Sequence, residues 1–353
     1  MKPAKGAVRC VRMRNKTFTF SLIIPVYRPN RRFVEMMRRV AAQHLLPEQI
    51  LIVETVSGEG KQFMQEALAA VGQACGVADH MTEGAGGRPF VRYMQVEKKD
   101  FDHGGTRDMA ARLCDTDLMI FMTMDALPAN RHLFEKLTVP FEDPQVACCY
   151  ARQLPDRDAA RSEIFTRQFN YPENSIKKTK DDLGALGIKT FFCSNVCAAY
   201  RRQTYLELGG FEKRTIFNED MIFAGKAVQA GYAVYYQAQA KVVHSHNYTG
   251  RMQLARNFDL GVSQAQHPEI FADIRSDSEG IRLVKETMRY LAATGQTRKI
   301  PGLIWISGCK YLGYRLGKGY TRLPAAVIRA ITLNRAYWEQ EEAVEERKTK
   351  TYG

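Results

Sequence analysis

The sequence predicts an α/β fold: a mostly parallel, twisted sheet with flanking helices, continued by a helical C-terminal extension. Three observations carry this. Apolar runs of strand length alternate with helical patterns of about a dozen residues, the rhythm of crossover connections. The runs at 20–26 and 117–122 are apolar apart from Ser21 and Asp117 and do not alternate, as parallel strands covered on both faces must not. From residue 250 onward strand patterns disappear and helical periodicity takes over.

The elements follow in order. Residues 1–17 are basic and poor in large apolar groups, a flexible arm. The first strand, FTFSLIIPVY, ends in Pro25-Val26-Tyr27. A helix fits 30–44, with Phe33, Met36, Met37 and Val40 on one face and Arg31, Arg32, Arg38 and Arg39 mostly elsewhere. A strand at 50–55, a helix at 60–72 and, after the Gly-rich GAGG turn, a strand at 91–96 follow. A helix begins near Thr106 and runs to about 114. Strands DLMIFMTM at 117–124 and QVACCYA at 145–151 come next. Residues 158–188 are polar and read as a helix plus mobile loop. Short strands at 190–200 and 233–243 bracket a helix at 219–230, and a boundary falls near 250. The units are thus the arm 1–17, a domain at 18–250 and a helical region at 251–353, which ends in the charged stretch EQEEAVEERKTK.

No apolar run reaches the roughly 18 residues of a membrane span, and SLIIPV is too short for a signal sequence, so the chain is expected to stay in the cytoplasm. The eight cysteines are scattered through apolar segments as buried free thiols; Cys193 and Cys197 lack a second pair for a metal site. The net charge is +13, from 51 Lys+Arg against 38 Asp+Glu. Residues 1–34 and 296–338 contain no acidic residue. Such a balance suits polyanionic partners, while a solvated basic face accounts for it equally. No helix-turn-helix, zinc-finger or RNP-like pattern supports nucleic-acid binding.

In an open α/β sheet, ligands bind at the C-terminal ends of the parallel strands. Four polar points sit at such ends: Tyr27-Arg28; Glu54 with Ser57 and Glu59; His103 to Asp108; and Thr123-Met124-Asp125. Asp125 follows an apolar strand, where a carboxylate is costly unless paired or bound to a cation; a turn or N-cap aspartate is the alternative. In FDHGGTRDMAARLC, Gly104 and Gly105 permit close backbone approach and Arg107 offers a fork for phosphate. In FNEDMIFAGKAVQAGY, Glu219 and Asp220 either complement the helix dipole or supply a general base. His244 and His246 lie two apart after an apolar strand and point the same way if it continues, as metal ligands or as hydrogen-bonded surface groups.

Taken together, these points resemble the family 2 nucleotide-sugar glycosyltransferases of GT-A fold. The ordered set is Pro25-Val26-Tyr27, the Glu54–Glu59 turn, the Gly104–Asp108 helix start, Thr123-Met124-Asp125, Asn195, Gly209-Gly210-Phe211 and Glu219-Asp220, spanning 18–250. FDHGGTRDMA, FCSNVCAAYRR, FNEDM, HSHNYT and KYLGYRLGKGY look like the bacterial rhamnosyltransferase branch. Three positions depart from the pattern: Glu54 for the usual aspartate, Asp108 for a frequent Asn, and Thr123 for the first acid of Asp-x-Asp.

The resemblance implies inverting transfer of a sugar from a nucleoside diphosphate, dTDP-rhamnose in that branch, to a hydroxyl of a cell-surface or lipid-linked glycan. Asp220 is the implied base, with Glu219 beside it. Pro25, Tyr27, Glu54, Arg107, Thr123 and Asp125 would bind the donor. Asp125, His244 and His246 would hold Mg²⁺ or Mn²⁺. The basic tail, with Trp305, Tyr311, Tyr314 and Tyr320, would face the acceptor and an anionic membrane surface, or simply pack on the catalytic domain. A UDP- or GDP-sugar donor, a basic nucleic-acid-binding protein and an inactive scaffold are the rival readings.

Overall fold

The computed structural model describes residues 18–74, 83–84, 88–272 and 277–341. The arm 1–17, most of the GAGG turn, Cys10, Cys75 and most of the final charged stretch lie outside the described residues.

A nine-stranded sheet forms the centre. Its strands are β1 (Phe20–Tyr27), β2 (Gln49–Thr55), β3 (Val91–Val96), β4 (Leu118–Met122), β5 (Leu127–Pro128), β6 (Val146–Leu154), β7 (Ile176–Lys178), β8 (Cys197–Arg201) and β9 (Ala233–Val243). The spatial order is β3-β2-β1-β4-β8-β6-β9-β5, with β7 on β9. The half built from β1, β2, β3 and β4 is parallel, as apolar strands joined by crossovers require. The other half is mixed. β8 runs antiparallel to both β4 and β6, whereas β6 and β9 are parallel. Since β8 reverses between them, β6 and β9 run in the same direction as β4. Their C-terminal ends therefore open on one edge with those of β1 and β2, and the segment before β8 joins that edge from the opposite direction.

The helices that matter to that edge are α1 (Arg31–Ala41), α2 (Lys61–Ala74), α3 (His103–Arg112), α4 (Leu133–Thr138), α5 (Arg161–Asn170), α6 (Arg202–Glu207) and α7 (Glu219–Gln229). Asn30 caps α1 by accepting from the backbone N–H groups of Arg32 and Phe33, and Phe33, Val34, Met36, Met37 and Val40 are buried beneath it. α3 begins at His103, three residues before the expected Thr106, because Asp102 is its N-cap and accepts from Gly105 N at 2.7 Å. The expected strand at 190–200 shortens to β8, since residues 187–191 form a 3₁₀ turn. The polar stretch 158–188 holds α5, the short strand β7 and tight turns. Cys114, Cys148, Cys149, Cys193, Cys197 and Cys309 are buried free thiols.

After residue 250 the chain is helical: α8 (Gly250–Gln266), α9 (Asp277–Ala293), α10 (Ile300–Lys318) and α11 (Ala325–Ile331). α8 and α10 cross with their backbones almost touching. A Cβ at Gly313 would lie 2.1 Å from the Leu254 carbonyl oxygen, and one at Gly317 2.1 Å from that of Phe258. The first two glycines of KYLGYRLGKGY, Gly313 and Gly317, therefore serve this crossing. No helix among the described residues is long and apolar enough to cross a membrane.

Candidate active site

Two clusters of polar side chains stand on the C-terminal edge of the sheet. The first gathers Asp125, just past β4, with His244 and His246, just past β9. Asp125 Oδ2 lies 3.5 Å from His244 Nε2 and 3.1 Å from His246 Nε2, and the two imidazole nitrogens are 3.1 Å apart. Burial pushes the Asp125 carboxyl up, but its bonds to His244 and His246 override that and hold it far below the ordinary carboxylate range. Burial in turn depresses the His244 imidazole, against the opposing pull of Asp125, which favours the neutral form able to ligate.

These three groups fit a divalent cation. Bonds of about 2.1 Å at right angles place neighbouring ligand atoms roughly 3.0 Å apart, close to the three separations observed. The ligand atoms could thus cap one face of an octahedron with little movement.

Sequence reasoning missed the residues that build this cluster. Gln153, buried on β6, accepts from His244 Nδ1 at 3.2 Å, which orients the ring so that Nε2 faces Asp125. The same carbonyl oxygen accepts from Arg167 of α5, and the Gln153 amide donates to Ser194 Oγ at 3.0 Å. Arg32, expected away from the core, instead clamps the two strand ends together. Its Nε donates to the Asp125 carbonyl at 2.7 Å, NH2 to the Val243 carbonyl at 3.1 Å, and NH1 pairs with Asp156 at 2.5 Å. The only signal for Arg32 was its place in the first turn after β1. For Gln153 there was none, because a glutamine near a strand end is ordinary.

The second cluster surrounds Glu219 and Asp220 at the start of α7. Asn195, before β8, organises both: its backbone N–H donates to Asp220 Oδ2 at 2.9 Å and its side-chain amide to Glu219 Oε1 at 3.1 Å. Tyr200 fixes the Asn195 carbonyl oxygen at 2.8 Å. Asp220 also accepts from Met221 N at 2.8 Å. Burial, then the neighbouring Glu219 charge, push the Asp220 carboxyl up to about 7. Glu219 moves the other way. Burial raises it, but Arg107 at 3.4 Å and His103 outweigh that and hold it below its usual value. Two adjacent carboxyls thus separate into one that stays ionised and one poised near neutrality. The chain itself links the clusters, since Ser194, whose hydroxyl accepts from Gln153, directly precedes Asn195.

The other expected site residues are more dispersed. Arg107 turns its NH1 to Glu219 and, at 2.9 Å, to the His103 carbonyl, while its buried Nε has no hydrogen-bond partner among the described residues. The backbone approach allowed by Gly104 is made by the protein itself: a Cβ there would lie 1.7 Å from the Glu212 carbonyl oxygen. Asp108 is structural, accepting from Arg112 Nε at 2.8 Å and Tyr205 OH at 3.0 Å. Glu54, buried at the end of β2, accepts from the Tyr93 hydroxyl. Pro25 pairs in register with Val53 in β1 and β2. Tyr27, at the end of β1, is exposed. Thr123 is tied to the loop before β8 through its N–H, 3.2 Å from the Val196 carbonyl.

Known proteins align with this arrangement. Residues 21–209 match the model of glycosyl transferase family 2. The chain is similar to the O-antigen chain rhamnosyltransferase RfbN of Salmonella typhimurium, 37% identical over 320 residues, which cover 90% of this chain and 95% of the relative. It is also similar to the O-antigen chain rhamnosyltransferase WbaN of Salmonella anatum, 35% identical over 323 residues, covering 91% and 96%. Among solved structures it resembles the mannosyltransferase PcManGT from Pyrobaculum calidifontis in complex with GDP-Man and Mn²⁺, with a TM-score of 0.50, 16% identity and 92% and 83% of the two chains covered. That likeness supports the GT-A fold. With a family match over more than half its length and two relatives spanning nine-tenths of it, the chain belongs to glycosyl transferase family 2 and is a glycosyltransferase.

Proposed function

We propose that this enzyme moves a rhamnosyl group from dTDP-rhamnose to a hydroxyl of a growing, lipid-linked O-antigen-type glycan, with inversion at the transferred carbon. The printed names of both relatives support the sugar and the glycan. The observation that carries the chemistry is Asp220, a carboxyl held by two backbone N–H groups and raised to about 7 on the sheet's ligand edge. A base of that pKa is substantially ionised at neutral pH yet still takes up a proton well. The acceptor oxygen attacks the anomeric carbon as the bond from that carbon to the diphosphate oxygen breaks. The hydroxyl proton passes to Asp220, and the nucleoside diphosphate departs with the bonding electrons.

Glu219 remains ionised beside Asp220 and keeps its pKa high; Arg107 and Asn195 hold Glu219 in place. Asp125, His244 and His246 would hold Mn²⁺ or Mg²⁺, and two imidazoles in the set favour Mn²⁺. Such a cation supplies Lewis-acid stabilisation of the leaving diphosphate. Pro25, Tyr27, Glu54 and Thr123 would frame the nucleoside.

The tail has a chemistry suited to an acceptor presented on the cytoplasmic face of the membrane. On α10, Ile304, Trp305, Tyr311 and Leu312 share one helical face and are all exposed, Trp305 by 69%. Exposed Arg298, Lys299, Arg315 and Lys318 flank them. Aromatic and apolar groups ringed by cations fit an anionic leaflet. This face adjoins the metal-ligand loop: a Cβ at Gly250, four residues past His246, would meet Trp305 Nε1 at 2.6 Å.

A donor screen tests the proposal. Donor turnover with Mn²⁺ should favour dTDP-rhamnose over UDP- and GDP-sugars by at least tenfold. A preference for another nucleotide sugar would discard the rhamnosyl reading and leave the family assignment intact.

A further inference from the structure

Away from the sheet's ligand edge, His44, His132 and Glu135 bring three metal-ligating atoms within 4.8 Å of one another. His132 and Glu135 lie one helical turn apart at the start of α4, with Nδ1 and Oε2 2.5 Å apart. His44 comes from the connector between α1 and β2, and its ring meets that of His132 edge-on at 4.5 Å between centroids.

The backbone beneath them is fixed. Buried Gln43 donates to the carbonyls of Arg39 at 3.0 Å and Asn130 at 2.8 Å, and accepts from Leu133 N at 2.9 Å. His44 N donates to the Arg131 carbonyl at 3.0 Å, and His132 N to Asn130 Oδ1 at 2.9 Å. Two segments 88 positions apart are thus locked together, while the side chains of His132 and Glu135 remain about half exposed and are hydrogen-bonded to each other.

We propose that His44, His132 and Glu135 form a second divalent-metal site, selective for Zn²⁺. Two imidazoles and one carboxylate are a zinc donor set with room for a water as fourth ligand. A tetrahedral ion with bonds of about 2.0 Å needs ligand atoms roughly 3.3 Å apart, so rotation of the exposed side chains would part His132 from Glu135 and bring His44 to them. The bound ion would clamp the end of α1 to the segment entering α4. That segment continues from Asp125 through β5, whose Pro128 carbonyl already accepts from Arg39 of α1 at 3.2 Å. The site is independent of the catalytic cluster and of the donor proposed above.

The test titrates Zn²⁺ against a chromophoric chelator in the Asp125→Ala/His244→Ala protein, which removes the first cluster. One Zn²⁺ should bind, and adding His44→Ala or His132→Ala should abolish it. Zinc at about 100-fold above its Kd should raise the Tm by about 3–4 °C for a chain of this size, and His44→Ala should remove that rise. His44 is exposed, so the variant is expected to fold, and circular dichroism without metal checks this. Absence of zinc binding, or binding and a thermal rise unchanged by both histidine substitutions, would overturn the site.

Discussion

Replacing Glu219 by Gln isolates the charge that tunes the proposed base. The amide keeps an oxygen to accept from Asn195 and has nearly the same volume, so the loop geometry should persist. What disappears is the negative charge beside Asp220, one of the two causes that raise its carboxyl to about 7. Both carboxyls bind Asn195 and so lie near each other; at an effective dielectric near 20, unit charges roughly 6 Å apart interact by about 3 kcal/mol. Counter-charge and water reduce this, so a fall on the order of one to two pH units is expected. Arg107, released from its partner, acts in the same direction. A base works above its pKa, so the acid limb of kcat/KM should move from near pH 7 to about 5–6. The weaker base should also lower the plateau, by roughly 3- to 10-fold if proton transfer is half complete in the transition state. The assay is the pH dependence of initial rates at saturating Mn²⁺, with Asp220→Asn as control. That control should lose about 10²–10⁴-fold in turnover and still bind donor. An acid limb that stays within 0.3 pH unit of the wild type in Glu219→Gln would refute the assignment of Asp220 as the titrating base.

Three further outcomes follow from the same geometry. Asp125→Ala should abolish metal-dependent donor binding, and Gln153→Leu, which frees His244 Nδ1, should weaken Mn²⁺ affinity about 10- to 100-fold by calorimetry; unchanged affinities would remove the metal role of this cluster. Gly104→Ala should cost about 1–3 kcal/mol in urea unfolding, because its Cβ would overlap the Glu212 carbonyl; a neutral result would mean that α3 can shift away. Trp305→Ser with Tyr311→Ser should reduce co-sedimentation with anionic vesicles several-fold while leaving turnover of a soluble acceptor unaltered, and equal sedimentation would discard the membrane face.

Much of this protein is written locally. Apolar runs at 20–26 and 117–122 specify parallel strands because only a strand covered on both faces tolerates such a pattern. Asn30 specifies the start of α1 because its side chain satisfies the first free N–H groups. The polar residues just beyond strand ends marked Asp125 and His244, because parallel strands deliver their C-terminal ends to one edge, and the acids opening a helix marked Glu219 and Asp220.

Other features depended on contacts between distant segments, which no local pattern records. β8 has an ordinary apolar sequence, and only its neighbours β4 and β6 make it antiparallel. Arg32 reads as a surface cation in a helix, but the strand ends it reaches lie 93 and 211 positions away. Gln153 joins His244 to Ser194 only because β6 lies beside β9. That Arg107 faces Glu219, and Gly104 the Glu212 carbonyl, follows only from tertiary contacts. The residue types and their order determined the family and the chemical candidates. The pairing of remote elements decided which carboxyl is held ionised, which imidazole nitrogen faces Asp125, and which of the expected groups already have partners within the protein.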